Sequence, residues 1–169
     1  MNKMKCFLMI LIISTMVQQA LAENAVFFRP GRILISAEYQ SLLPSCNSYS
    51  NLQYPQALFE YCVSKRYSLG LGVGYGTREP PGYLKKQNGW SMEASAFINY
   101  KIAGKFMKGI LGAGLVWIPN LKSVRAKISL GIRLILAKNI AAHGKLLFLK
   151  TTDRDFGVGY AYGLTFAFR

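Results

Sequence analysis

Residues 156–168 read Phe-Gly-Val-Gly-Tyr-Ala-Tyr-Gly-Leu-Thr-Phe-Ala-Phe, and they decide the fold. Phe156, Val158, Tyr160, Tyr162, Leu164, Phe166 and Phe168 alternate without a break with Gly157, Gly159, Ala161, Gly163, Thr165 and Ala167. A period of two is a β-strand with two unlike faces. One face is continuously large and apolar, and the other is small rather than charged. A strand with its bulky side toward lipid and its small side toward a narrow barrel interior has this composition.

The other end of the chain agrees. Lys3 and Lys5 precede an apolar run, Cys6 to Val17, and Ala20-Leu21-Ala22 is a small-x-small cleavage site. Residues 1–22 therefore read as a cleaved signal peptide, with the mature chain 23–169 as one domain. The apolar run is shorter than the roughly 20 residues of a spanning helix. Cys6 lies inside that run, so it is not a lipidated cysteine at the cleavage site. No second apolar run has helical-span length. An exported chain this apolar either folds as a soluble β-domain or closes a barrel in the outer membrane.

Eight alternating runs can be placed: Arg32–Leu42, Ala57–Ser64, Tyr67–Gly76, Trp90–Ile102, Phe106–Ile118, Ser123–Leu136, Ile140–Lys150 and Phe156–Phe168. The expected fold is all-β, a closed antiparallel transmembrane β-barrel of eight strands in an up-and-down meander. Long connections are expected at Pro44–Gln56 and Arg78–Gly89, with short turns at the opposite end, as an outer-membrane barrel requires. A soluble β-sandwich does not account for large apolar faces on every strand with small or charged residues opposite. A basic amphipathic helix over Ser123–Lys150 is countered by strict alternation from Val124 to Leu134. Tyr75, Trp90, Trp117 and Phe156 fall near the external strand ends. Tyr67, Tyr100, Phe106, Phe166 and Phe168 fall near the periplasmic ends. The two sets suit girdles at the two interfaces.

The end of the closing strand, Gly163-Leu164-Thr165-Phe166-Ala167-Phe168, resembles the C-terminal β-signal of bacterial outer-membrane proteins, Gly-x-x-aromatic-x-aromatic; Arg169 follows the last aromatic. The resemblance implies recognition of Gly163, Phe166 and Phe168 by the barrel-assembly machinery. Over the mature chain the pattern is similar to the small eight-stranded OmpA, OmpX and opacity-type barrels, which implies a bacterial outer-membrane location.

The formal charge is +14, and removing Lys3 and Lys5 with the leader leaves two fewer positive charges. Strand parity sends Glu38, Glu60, Glu93, Lys108, Arg125, Lys127 and Arg133 to the interior. Unpaired charges there would carry a large desolvation cost, so a salt-bridge network that plugs the barrel is expected. The alternative is a narrow channel, but eight strands leave an interior only just wide enough for side chains. Arg29, Arg32, Lys65, Arg66, Lys101, Lys105, Lys138 and Arg169 fall at the inner rim, where cations suit anionic phospholipid headgroups. Arg78, Lys85, Lys86, Lys122, Lys150 and Arg154 lie in or beside external loops, where they suit lipopolysaccharide phosphates. A solvated basic surface is the plain alternative for both groups. Export argues against nucleic acid as a partner despite the basic balance. The expected state is a monomer.

Catalysis is the competing class, because small outer-membrane barrels include lipid A-modifying enzymes. The single histidine stands in His143-Gly144-Lys145. The lipid A deacylases carry His-x-Ser-Asn on a strand, and Lys145 occupies the serine place. A lone strand histidine reads first as a packing or hydrogen-bonding residue of the interior. One histidine and the two mature cysteines, Cys46 and Cys62, have no zinc spacing, and no metal or cofactor is expected. Cys46 falls in an external loop and Cys62 near the inner end of its strand. Both are expected free, since a bridge needs Cα atoms within about 7 Å. The reading is a non-enzymatic small barrel with a structural or surface-interaction role. A lipid A- or phospholipid-modifying enzyme is the alternative, and a narrow channel comes third.

Overall fold

The computed structural model describes residues 27–43, 51–79, 87–103, 106–119, 123–150 and 156–168. The expected leader, Cys46, Lys85, Lys86, Lys105, Lys122, Arg154 and Arg169 lie outside the described residues. The chain forms β1 (Ile33–Leu43), β2 (Asn51–Cys62), β3 (Tyr67–Glu79), β4 (Gln87–Ala103), β5 (Met107–Ile118), β6 (Ser123–Ala137), β7 (Ile140–Lys150) and β8 (Phe156–Phe168). Each strand pairs antiparallel with the next, and β8 pairs back onto β1 to close the barrel.

The registers fix the barrel's geometry. Stepping from Ile33 through Tyr61, Leu69, Ala96, Ala113, Ile128, Phe148 and Val158 leads back to β1 at Leu43, a shear of ten residues. Ten residues at about 3.3 Å against eight strands about 4.8 Å apart give a tilt of roughly 40°. The interior of such a barrel is filled by side chains.

The outer wall is apolar over its full circumference. Leu71, Leu115, Val124, Ile128, Leu146 and Leu164 point outward and are exposed. Tyr75 and Trp90 are exposed neighbours with ring centroids 4.9 Å apart. Tyr67, Tyr100, Phe106, Phe166 and Phe168 are exposed at the other end. Along β4 the aromatics Trp90 and Tyr100 are ten residues apart, which at this tilt is about 25 Å of barrel height. That equals the apolar band of outer-membrane barrels. A wall of this kind, with its backbone satisfied by closure, crosses a bilayer.

The short turns lie at the end where β1 begins and β8 finishes, the periplasmic end of such barrels. Between β2 and β3, Ser64 Oγ accepts hydrogen bonds from the backbone N–H groups of Arg66 (3.1 Å) and Tyr67 (3.0 Å). Register shifts at Lys101/Ala103 and Ile135/Ala137 mark the turns after β4 and β6.

β7 and β8 match the expected boundaries. At the external end the strands run further than the sequence reading. β2 begins at Asn51 rather than Ala57, β3 continues to Glu79, and β4 starts at Gln87. The Ser, Asn and Pro content of residues 44–56 reads as loop, yet Tyr54 and Gln56 point inward and are buried. Pro55, which lacks an N–H to donate, pairs in register with Tyr39 of β1, and the β2–β3 register resumes at Gln56↔Gly74. Outside the apolar band, Thr77 Oγ1 donates to Asn88 Oδ1 (3.0 Å), extending the β3–β4 hairpin beyond the membrane.

Candidate functional site: the barrel interior

The interior has apolar clusters at both ends and polar side chains between them. At the periplasmic end Phe27, Phe28, Leu34, Cys62, Ile135, Ala141 and Ala167 pack together. Phe27 and Phe28 precede β1 and turn back into the barrel mouth. Gly31 makes this turn possible with a φ of 80°, which a side chain disfavours. Its N–H donates to the Cys62 carbonyl at 2.8 Å. At the external end Leu42, Val116, Ile118, Leu147, Leu149 and Ala161 form a second cluster. Leu58, Phe97 and Ile110 form a third. The Phe97 ring occupies space left by two glycines: a Cβ on Gly70 or Gly112 would lie 2.7 Å from it.

Among the described residues, Glu38, Glu60 and Glu93 each gather a group of interior side chains. Glu38 on β1 receives Lys145 Nζ at 2.6 Å and His143 Nε2 at 2.9 Å, both from β7. Gln40 Nε2 donates to its other oxygen at 2.9 Å. Glu60 on β2 pairs with Arg133 Nη2 on β6 at 2.6 Å, with neither side chain exposed. Ser68 Oγ donates to the second Glu60 oxygen at 3.1 Å. Glu93 on β4 pairs with Lys127 on β6 and accepts from Ser95 and from Gln56 Nε2, the last at 2.8 Å.

Of the charged residues singled out by parity, Glu38, Glu60, Glu93, Lys127 and Arg133 are buried in this interior. Lys108 and Arg125 are only half-buried and stand nearer its two ends: Lys108 pairs in register with Lys101 and Arg133, and Arg125 with Val116. Lys145 and Thr165 belong to the same buried interior, though the strand pattern does not single them out. Both faces of β7 carry apolar residues, so alternation alone gives Lys145 no direction. Its register partner Ala161 on the small face of β8 is the signal that points it inward. Cys62 is buried and free.

One arrangement resembles catalytic machinery. Glu38 is bound to His143, His143 Nδ1 lies 3.0 Å from Thr165 Oγ1, and Thr165 Oγ1 lies 2.9 Å from Ser36 Oγ. With Glu38 ionised, its carboxylate accepts from Nε2 and a neutral ring can accept the Thr165 proton at Nδ1. Hydroxyl, imidazole and carboxylate then stand in the order of a nucleophile, its base and the base's orienter. Ser36 and Thr165, however, have 0% exposure. Neither hydroxyl meets a surface from which a substrate could approach. In this state the chain ties β1, β7 and β8 together across the seam that closes the barrel.

The closing strand carries Gly163, Phe166 and Phe168, and it presents them on both faces. Phe166 and Phe168 point to lipid and are exposed. Gly163 lies against β1, and a Cβ there would sit 2.7 Å from Glu38 Cα and would also clash with the Ala37 carbonyl oxygen.

No protein-family model matches the chain, and no curated protein matches it either. Solved structures do. The N-terminal β-barrel domain of Pseudomonas aeruginosa OprF matches with a TM-score of 0.62 at 14% identity, over 82% of this chain and 98% of that one. The fold is that of the small eight-stranded outer-membrane β-barrels. A de novo designed transmembrane β-barrel matches at TM-score 0.60 and 14% identity, covering 83% of this chain and 98% of that one. Neisserial surface protein A matches at 0.53 and 10%, covering 81% and 96%. At these identities the likeness is one of fold. It confirms the closed, eight-stranded antiparallel architecture.

Proposed function

We propose that the chain, after removal of residues 1–22, is a non-enzymatic outer-membrane barrel protein with a structural or surface-interaction role. Its interior network acts as a plug, and Gly163, Phe166 and Phe168 serve as the signal read by the assembly machinery. The observation that carries this reading is the pairing of Glu38, Glu60 and Glu93 with cations between apolar clusters at both ends. Buried charges arranged this way are costly to separate, which opposes a permanent aqueous path. Planar-bilayer recording of the refolded protein tests the plug. The expected trace has no steady conductance, and a stable open level altered by Arg125→Ala would reverse the assignment to a channel.

The second reading is a lipid-modifying enzyme, and the Glu38–His143–Thr165 alignment favours it. Burial of the hydroxyl weighs against it. Mass spectrometry of lipid A and phospholipids from cells with and without the protein separates the two. Identical profiles are expected. A change abolished by His143→Ala would establish the enzyme.

A further inference from the structure

The periplasmic rim holds a cavity of 620 Å³ between the segment before β1, the β6–β7 turn and the end of β8. Arg29, Arg32, Lys138, Asn139 and Phe168 are among its lining residues, and none of the described lining residues is acidic. We propose that this cavity binds the phosphate headgroup of an anionic glycerophospholipid from the periplasmic leaflet.

The site is built from three separate parts of the chain. Arg32 is buried, and its guanidinium is held through two nitrogens: Nη2 donates to Asn139 Oδ1 at 2.6 Å and Nε to the Phe168 carbonyl at 3.3 Å. Asn139 is held in turn, because its carbonyl accepts from Ala167 N–H at 2.8 Å. One cation is thus pre-positioned at the cavity wall, while Arg29 and Lys138 are exposed beside it. Holding a guanidinium in place lowers the ordering cost of binding an anion. The volume lies in the range of about 300–1,000 Å³ usual for small-ligand sites.

Location selects the source of the phosphate. Phe168 lines the cavity and also stands exposed on the lipid-facing wall among the periplasmic aromatics. A lipid can place its phosphate on the cations and continue its acyl chains along Phe168. A free phosphate would use only the first half of that surface. Basic residues near an anionic leaflet contribute about 1 kcal/mol each, so position and charge act together.

Native mass spectrometry of the refolded full protein, offered phosphatidylglycerol and phosphatidylcholine in equal amounts, tests the proposal. The wild type should retain the anionic lipid preferentially. Replacing both exposed cations, Arg29→Ala with Lys138→Ala, should reduce that preference by about tenfold or more. Lys65→Ala with Arg66→Ala removes two exposed rim cations that do not line the cavity, and should leave the preference in place. Equal retention of the two lipids by the wild type overturns the proposal without reference to any variant. Equal losses in the two double variants would also overturn it, leaving a diffuse basic rim. Displacement of the lipid by inorganic phosphate, but not by chloride at matched ionic strength, would reassign the cavity to the free anion.

Discussion

Glu38 and Glu60 are both buried carboxylates paired at 2.6 Å, yet they sit in opposite kinds of surroundings. Glu38 meets cations from β7, only two strands away, over the intervening β8. That strand is thin where the contact passes, since Gly163 and Ala161 are the register partners of His143 and Lys145. Glu60 on β2 meets Arg133 on β6, four strands away in a barrel of eight, so this pair spans the full width. The short contact depends on the absence of side chains on a neighbouring strand. The long one depends on the reach of a single arginine. Arg133 Nε and Nη1 have no hydrogen-bond partner among the described residues, and its guanidinium lies 5.3 Å from the Phe28 ring centroid. Glu38 has a lysine, a histidine and a glutamine around it, whereas Glu60 is the one carboxylate partner of Arg133 among the described residues.

The largest effect should therefore come from the cross-barrel pair. Glu60→Ala leaves Arg133 buried without its counter-charge, and loss of one partner of such a pair costs about 3–5 kcal/mol. Urea unfolding of the protein refolded into lipid vesicles would measure it. The double variant Glu60→Ala with Arg133→Met should recover much of the loss, because an apolar replacement carries no stranded charge. A loss no greater than that of an exposed substitution would mean that Arg133 finds another carboxylate. The contrast between the two regions would then disappear.

The seam should respond to bulk more than to charge. Gly163→Val places a side chain where the backbone of Ala37 and Glu38 already lies. Forcing volume into a packed interior costs about 1–3 kcal/mol. The change should also slow barrel closure, because it separates β8 from β1. The fraction of heat-modifiable protein on unboiled gels reports both effects. Ala161→Gly at the neighbouring small position should be tolerated, and a strong defect there would show that packing, not clearance, governs the seam.

These two regions also differ in how far the sequence reveals them. The outer wall is written as alternation, and β8 carries it without interruption. The inward direction of Glu38, Glu60, Glu93, Lys127 and Arg133 follows from the same parity. Partner choice does not, because parity gives a side chain's face but not the strand it meets across the interior. Pairing Glu60 with Arg133 needs the shear and the relative heights of β2 and β6. Lys145 is harder still, since β7 is apolar on both faces and its direction is set by neighbours. Phe27 and Phe28 have no periodicity to reveal them. They enter the barrel through a turn marked locally by Pro30-Gly31. The early start of β2 is hidden by Pro55, a strand breaker that the closed sheet accommodates.

The smallest effect should be at Thr165, and it bears on activity as well as stability. Thr165→Val keeps the shape and removes the hydroxyl that contacts both Ser36 and His143. Leaving buried polar partners unmatched costs about 1–3 kcal/mol, and the lower end applies because His143 keeps its bond to Glu38. A structural hydroxyl predicts this modest loss of unfolding free energy with unchanged lipid A and phospholipid profiles. A nucleophile predicts the reverse order, with chemistry abolished by Thr165→Val and retained in part by Thr165→Ser, at any stability. The burial of both hydroxyls at the seam leads us to expect the first pattern: Glu38 and its partners then act as the clasp that holds β8 between β1 and β7.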